Sequence, residues 1–167
     1  MQSNIKLIAS AIIKFVTGLI IVGLLIFLPA GTTYFYYGWL LMAVLFVPMF
    51  IAGLVMLLRS PELLKKRLKA KESESEQKSV VALSGIMFVA AFVVAGLNFR
   101  YSWIVLPSWV AYVATALFLL SYILYAEVLR ENEYLSRTIE VQDNQKVIDT
   151  GLYGIVRHPL YSATIIL

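Results

Sequence analysis

The chain contains no cysteine and a single histidine among its 167 residues. Without cysteine there is no disulfide framework, no thiolate nucleophile and no cysteine-based metal site. One histidine would leave a zinc site dependent on carboxylates, so we expect no metal centre. The sequence also shows no internal repeat, no glycine-rich phosphate loop and no Ser-His-Asp arrangement. Thiol catalysis, a zinc site and a serine catalytic triad are therefore not expected.

Charge is scarce as well, at 14% of the residues, whereas 60% are apolar and the mean hydropathy is +0.82. An ordinary soluble domain is roughly 45–50% apolar, so the composition predicts an all-α integral membrane protein. A net charge of +4 would suit a nucleic-acid ligand. The lysines and arginines are instead clustered between apolar runs, which indicates membrane topology and no nucleic-acid partner.

Four apolar runs are long enough to cross a bilayer, which takes about 20 helical residues. They cover residues 8–28, 39–58, 80–97 and 103–128. The predicted units are residues 1–58 with the first helix pair, 59–79 with a basic segment and linker, 80–128 with the second helix pair, and 129–167 with a polar segment and the start of a fifth membrane helix. The first run also resembles a signal peptide but is long for one, and we expect Lys14 within it to snorkel to the headgroups.

The basic segment begins with Ser60-Pro61-Glu62, a cap, a proline and an early acid that together predict a helix start. Leucines then share one side of this helix among lysines and arginines, which predicts a basic amphipathic helix at the membrane surface. It would serve as a topological anchor or bind anionic lipid headgroups. In the second pair, small residues such as Gly96 and Ala114 predict close packing of the third and fourth runs.

Orientation follows from the distribution of basic residues. Segment 59–79 is rich in lysine and arginine, the link after the third run holds only Arg100, and the link after the first run holds none. The positive-inside bias predicts that the N-terminus, segment 59–79 and everything after the fourth run lie in the cytoplasm.

Residues 145–161, here called the motif segment, contain several side chains that can bind a ligand or take part in a reaction. They lie where a polar stretch of the sequence meets an apolar one. Asp149-Thr150-Gly151 is a turn signal, and Thr150 is placed to cap a short following helix. Pro159 favours a first helical position, so His158 should lie at the cap of a helix that begins there. The N-terminus of such a helix brings unpaired N–H groups and positive potential, which suit an anionic group.

The spacing G-x-Y-x-x-x-R-H-P-x-Y resembles the cofactor segment of the isoprenylcysteine carboxyl methyltransferase family, which is itself similar to the phospholipid methyltransferases. It is formed by Gly151, Tyr153, Arg157, His158, Pro159 and Tyr161. The resemblance implies an integral membrane enzyme that binds S-adenosyl-L-methionine on the cytosolic side and methylates a lipid or lipidated acceptor. The acceptor would be a prenylcysteine-like carboxylate or a phospholipid amine.

The resemblance also implies site residues. The cofactor-binding positions would be Gln145, Lys146, Val147, Ile148, Tyr153, His158, Pro159, Leu160 and Tyr161, and the catalytic positions Arg157 and His158. Gln145 stands where the isoprenylcysteine enzymes usually have a histidine, which weakens the case for a prenylcysteine acceptor. The competing interpretation is that the arginine and histidine anchor a helix end and the tyrosines belong to an interfacial belt.

Family members continue through a fifth helix into a segment with an arginine and paired glutamates, to which nothing in residues 1–167 corresponds. We therefore expect this chain to bind the cofactor weakly and to turn over poorly. Two further hypotheses stay open: a non-catalytic multi-pass scaffold, and a membrane enzyme like the sterol reductases that uses a nicotinamide dinucleotide.

Overall fold

The computed structural model describes residues 2–68, 75–131 and 150–166, and these residues form helices and connecting turns without a strand. The helices are α1 (Gln2–Ala30), α2 (Tyr36–Arg59), α3 (Pro61–Leu68), α4 (Ser75–Tyr101), α5 (Ser108–Glu131), α6 (Leu152–Ile155) and α7 (Pro159–Ile166). The predicted all-α class is confirmed.

The four long helices α1, α2, α4 and α5 are each long and apolar enough to cross a membrane. Their outer faces carry large apolar side chains in the open, among them Ile13, Phe50, Ile86 and Ile123. Few side chains are buried inside the bundle, where only Ile26 and Val128 are large and fully enclosed among the residues described. Apolar exposure on this scale needs a lipid solvent, because soluble proteins rarely expose large contiguous apolar patches.

The helices pack in the spatial order α4, α1, α2, α5, α7, and α3 lies against α2. The prediction that the third and fourth runs pack closely on each other is wrong, because the main partner of α4 is α1 and those of α5 are α2 and α7. The small residue responsible is Gly96: a β-carbon there would lie 2.3 Å from the Ile26 carbonyl oxygen. The backbones of α4 and α1 therefore touch, as small residues allow in membranes.

Aromatic side chains fill the contact between α1 and α2. Phe15 and Phe46 meet edge to face with ring centroids 5.6 Å apart, and Phe27 lies 4.7 Å from Trp39. Met42 is buried in the same cluster. Aromatic pairs of this kind stabilise a helix contact by roughly 0.5–1.5 kcal/mol beyond the area they bury.

The boundaries around the third and fourth runs differ from the predicted ones. Helix α4 begins at Ser75 and ends at Tyr101, so it is longer at both ends than the apolar run. Helix α5 begins only at Ser108, because the preceding Pro107 disfavours helical backbone at the residue before it. The Asn98 side chain closes the connection, as its amide donates to the Ile104 carbonyl and accepts from the Ile104 N–H at 3.0 and 2.9 Å.

The predicted helix start at Pro61 is confirmed by α3, an eight-residue helix whose Leu64 is buried. Lys14 reaches from α1 to donate a hydrogen bond to the Leu68 carbonyl at 2.5 Å. This lysine therefore reaches the C-terminal end of α3, where exposed carbonyls and the helix dipole favour a cation. From here on, the end of the bundle that carries α3 is called the basic end, and the opposite end, with Tyr34 and Trp103, the aromatic end.

Candidate functional site

The motif segment starts, where the structure describes it, with a tight turn at residues 150–153. The Tyr153 N–H donates to the Thr150 carbonyl at 3.0 Å, and Gly151 has φ 54° and ψ −129°. These angles belong to the first central position of a type II′ turn, which glycine dominates. The turn signal in the sequence is confirmed.

The predicted capping role of Thr150 is wrong. The residue at the cap of α6 is Gly151, which has no side chain with which to cap the helix. The Thr150 hydroxyl donates instead to the Glu131 carboxylate, at 2.8 Å from Oε2. A hydrogen bond to a charged acceptor is about twice as strong as a neutral one, so this contact directs the Thr150 hydroxyl toward the end of α5.

Glu131 belongs to a small charge network at the end of α5. Arg130 donates to Glu131 Oε1 at 3.0 Å and also binds Glu127 through two nitrogens, at 2.6 and 2.9 Å. The Glu131 side chain is only 17% exposed. Its carboxyl group lies directly over Gly151, where an added β-carbon would come within 2.7 Å of Cδ.

Beyond the turn, α6 ends at Ile155 and a short extended stretch leads to His158. The His158 carbonyl accepts the Ser162 N–H at 3.2 Å, which places His158 at the cap of α7. The prediction of a helix that begins at Pro159 with His158 before it is confirmed. The first N–H groups of α7 have no partner within their own helix, as at any helix start.

The side chains of the motif segment divide into an outward and an inward set. Arg157, His158 and Tyr161 are exposed, and the His158 and Tyr161 rings lie 5.5 Å apart at an interplanar angle of 43°. Pro159 is buried against the bundle and Leu160 is half-buried.

Tyr153 on α6 is also half-buried. The remaining predicted positions Gln145, Lys146, Val147 and Ile148 lie outside the described residues.

A second anchor holds the inner part of α7. The Ser121 hydroxyl of α5, itself buried, donates to the Ala163 carbonyl at 2.7 Å. With Thr150 bound to Glu131, α5 holds the described part of the motif segment at its start and α7 just beyond the end of that segment. Ser121, Val128 and Glu131 fall within one side of α5, since spacings of seven and three residues return to nearby helical positions.

We expect Ser121→Ala to loosen α7 without unfolding the bundle. Interhelical hydrogen bonds in membranes contribute about 0.6 kcal/mol on average and up to about 1.7 kcal/mol. Thermal unfolding in detergent should show a small decrease in midpoint, and amide exchange in residues 159–166 should rise several-fold. Ser108→Ala, at the exposed start of α5, is the matched control and should leave both unchanged. Equal exchange in the two variants would contradict the anchor.

Sequence reasoning did not anticipate Glu131 or Ser121 as partners of the motif segment. Glu131 was visible only as one of several charges that continue the fourth helix beyond its apolar run. Its bond to Thr150 spans 19 residues and that of Ser121 to Ala163 spans 42. Neither separation has a local signature, although a serine inside an apolar helix is a recognisable signal for an interhelical hydrogen bond.

A half-open apolar cavity of about 190 Å³ lies elsewhere, between α2 and α5. Its lining includes Tyr37, Val44 and Phe118, and no residue of the motif segment. Within the ranges that the structure describes, no three His, Cys, Asp or Glu side chains come together to hold a metal ion. The arrangement at the basic end is therefore one of hydrogen-bond donors around a helix start.

Fold and composition together define a multi-pass helical membrane protein with an outward-facing cluster of donors where the chain turns back into the bundle. Comparison with protein-family models, with curated proteins and with solved structures finds no match for this chain.

Proposed function

We propose that the protein is an S-adenosyl-L-methionine-dependent methyltransferase that acts on a lipid or lipidated acceptor at the cytosolic face of a membrane. The observation that carries the proposal is the local arrangement of the motif segment. His158 caps α7, its ring lies 5.5 Å from that of Tyr161, and Arg157 is exposed beside it. This arrangement agrees with the resemblance of the motif to the membrane methyltransferases.

The distribution of charge supports a cytosolic placement of the site. The chain's path puts α3, the end of α5 and the described part of the motif segment at the basic end, because α1, α2, α4 and α5 alternate in direction. Exposed basic residues at this end include Arg59, Lys65 and Arg157. The positive-inside bias then assigns the basic end to the cytosol, where S-adenosylmethionine is made.

The donors present fit the carboxylate of the cofactor's methionine part. A guanidinium, an imidazole, a phenol and the free N–H groups of a helix start all favour a carboxylate, and the guanidinium can bind one through two parallel bonds. Arg157, His158 and Tyr161 would hold this group, and Leu160 and the half-buried Tyr153 offer apolar and aromatic surface for an adenine ring.

When bound, S-adenosylmethionine would supply a methyl group on a sulfonium, and in-line attack of the acceptor on that methyl would release S-adenosylhomocysteine as the leaving group. The chain's own contribution is to hold the acceptor in line and to exclude water. A carboxylate acceptor needs no base. An amine acceptor must lose a proton, and His158 is the candidate base, as the imidazole of the motif segment.

Arg157→Gln tests the proposal against simple electrostatics of the basic end. We expect the affinity for S-adenosylhomocysteine, measured by calorimetry in detergent, to fall roughly tenfold or more, because a charge-assisted hydrogen bond is lost. Arg59→Gln removes the same charge at the same end but outside the motif segment, so its affinity should stay within about twofold, as expected for a screened surface charge. Equal losses of affinity in both variants would mean that Arg157 acts only through the overall positive charge of the basic end and not through a direct contact with the ligand.

The scaffold hypothesis predicts that the wild-type protein does not bind S-adenosylhomocysteine. A folded chain that shows no saturable binding of S-adenosylhomocysteine, at concentrations up to the millimolar range, would favour a non-catalytic membrane protein. Saturable binding of a nicotinamide dinucleotide instead would favour the reductase-like hypothesis.

A further inference from the structure

We infer that Glu131 is a positioning residue for the motif segment and that it sets the orientation of His158 through Thr150 and Gly151. The expected effect on ligand binding rests on the proposed function, whereas the effect of Glu131 on the orientation of His158 does not depend on it. Glu131 does not itself belong to the outward-facing donors.

Three contacts place the Glu131 carboxyl group at Thr150 and Gly151, where the described part of the motif segment begins. One oxygen accepts the Thr150 hydroxyl at 2.8 Å, the other accepts from Arg130 at 3.0 Å, and the carboxyl carbon covers Gly151 at the distance where a β-carbon would clash. The side chain is mostly enclosed, at 17% exposure. A carboxylate held from two sides and largely enclosed has little freedom to move, so the turn it covers is held as well.

The chain between this contact and His158 is short and mostly in defined backbone bonds. The Thr150 carbonyl accepts the Tyr153 N–H at 3.0 Å, and the Val156 N–H donates to the Leu152 carbonyl at 2.9 Å. On the other side of His158, the Ala163 carbonyl is bound by Ser121. The backbone at His158 thus lies between two anchors on α5, and loss of the Glu131–Thr150 anchor leaves it held on one side only.

Arg130 explains how an acidic side chain can support a site for an anion. It binds Glu131 and Glu127 together, so the carboxylate next to the turn carries a paired charge. Glu131 therefore contributes its hydrogen bond and its packing over Gly151, with its repulsion of an anionic ligand reduced by the neighbouring guanidinium.

The test uses His158 as its own reporter, because it is the chain's single histidine. Protein purified without a histidine tag and labelled with histidine that carries carbon-13 at Cε1 alone should give one imidazole cross-peak in detergent. We expect Thr150→Val to shift or broaden that cross-peak. Thr150→Ser keeps the hydroxyl and should restore the wild-type position. Thr164→Val is the matched control, because this hydroxyl bonds within α7 to the Leu160 carbonyl at 2.9 Å.

Glu131 is tested from the other side of the same bond. Glu131→Ala should move the His158 cross-peak at least as far as Thr150→Val does, and the double variant should match Glu131→Ala, since the hydrogen bond that Thr150→Val removes is then already lost. Glu131→Gln keeps an acceptor oxygen and should restore part of the wild-type signal. If Thr150→Val does not fold, Glu131→Ala and Glu131→Gln test the same hydrogen bond in its place.

Titration with S-adenosylhomocysteine separates the inference from the proposed function. We expect Thr150→Val to weaken binding roughly three- to tenfold and Thr150→Ser to rescue it, as for the loss of one hydrogen bond. A cross-peak that stays in place in both Thr150→Val and Glu131→Ala overturns the inference. A cross-peak that moves in a protein whose wild-type form binds no S-adenosylhomocysteine supports the positioning role and counts against the methyltransferase.

Discussion

Replacement of Gly151 by alanine is expected to abolish measurable binding of S-adenosylhomocysteine while most of the bundle stays folded. Gly151 has φ 54° and ψ −129°, a conformation that L-residues other than glycine rarely adopt. An alanine β-carbon would also lie 2.7 Å from Glu131 Cδ. The turn must therefore change its backbone and push the Glu131 side chain away, and the expected cost is about 1–3 kcal/mol for the strained backbone alone.

The effect of Gly151→Ala should be local. Amide exchange in residues 151–158 is expected to become faster by an order of magnitude or more. Each decrease of about 1.4 kcal/mol in the free energy of local opening raises the exchange rate tenfold. The thermal midpoint in detergent should fall by only a few degrees. Gly85→Ala is the matched control, since a β-carbon there meets no neighbour within 4 Å. Unchanged exchange in Gly151→Ala would contradict the geometry of the turn.

Gly96→Ala is expected to have the largest effect on the stability of the whole bundle. Its β-carbon would come within 2.3 Å of the Ile26 carbonyl oxygen and 3.1 Å of the Ala30 nitrogen, both backbone atoms of α1. Backbone cannot move aside as a flexible side chain can, so α4 must shift away from α1. Overpacking of this kind costs about 1–3 kcal/mol, against a gain of up to about 1 kcal/mol in helix propensity.

The comparison of Gly96→Ala with Gly85→Ala isolates the contact, because both glycines lie in α4 and receive the same side chain. Denaturation in mixed micelles should show a lower midpoint for Gly96→Ala and an equal or higher one for Gly85→Ala. The opposite order would mean that α1 and α4 are not in backbone contact in the membrane protein.

Sequence reasoning reached the parts of this fold that depend on local chemistry. Pro61 and Pro159 both mark helix starts as predicted, because proline suits the first helical position and disfavours helix before it. The four spans follow from apolar length alone. Lys14 fits the same pattern in part: its reach toward polar partners was expected, but its bond to Leu68, 54 residues away, was not.

The remaining features depend on which helices meet, and local pattern says little about that. Gly96 was noticed as a small residue, yet nothing in α4 indicates that its partner is α1 and not α5. Thr150 next to a glycine has the pattern of a cap, and only the approach of Glu131 from another helix changes its role. The sequence around Thr150 shows neither that Gly151 takes the cap position nor that a carboxylate from α5 accepts the Thr150 hydroxyl.

The most direct test of the methyltransferase proposal is to locate the cofactor on the chain by photo-crosslinking with 8-azido-S-adenosylmethionine, followed by peptide mass spectrometry. We expect the label to fall within residues 145–161, S-adenosylhomocysteine to compete with it, and the labelling to decrease in Arg157→Gln but not in Arg59→Gln. Labelling at the aromatic end or in the cavity between α2 and α5 that S-adenosylhomocysteine prevents, or no such labelling anywhere, would rule out a cofactor site in this segment.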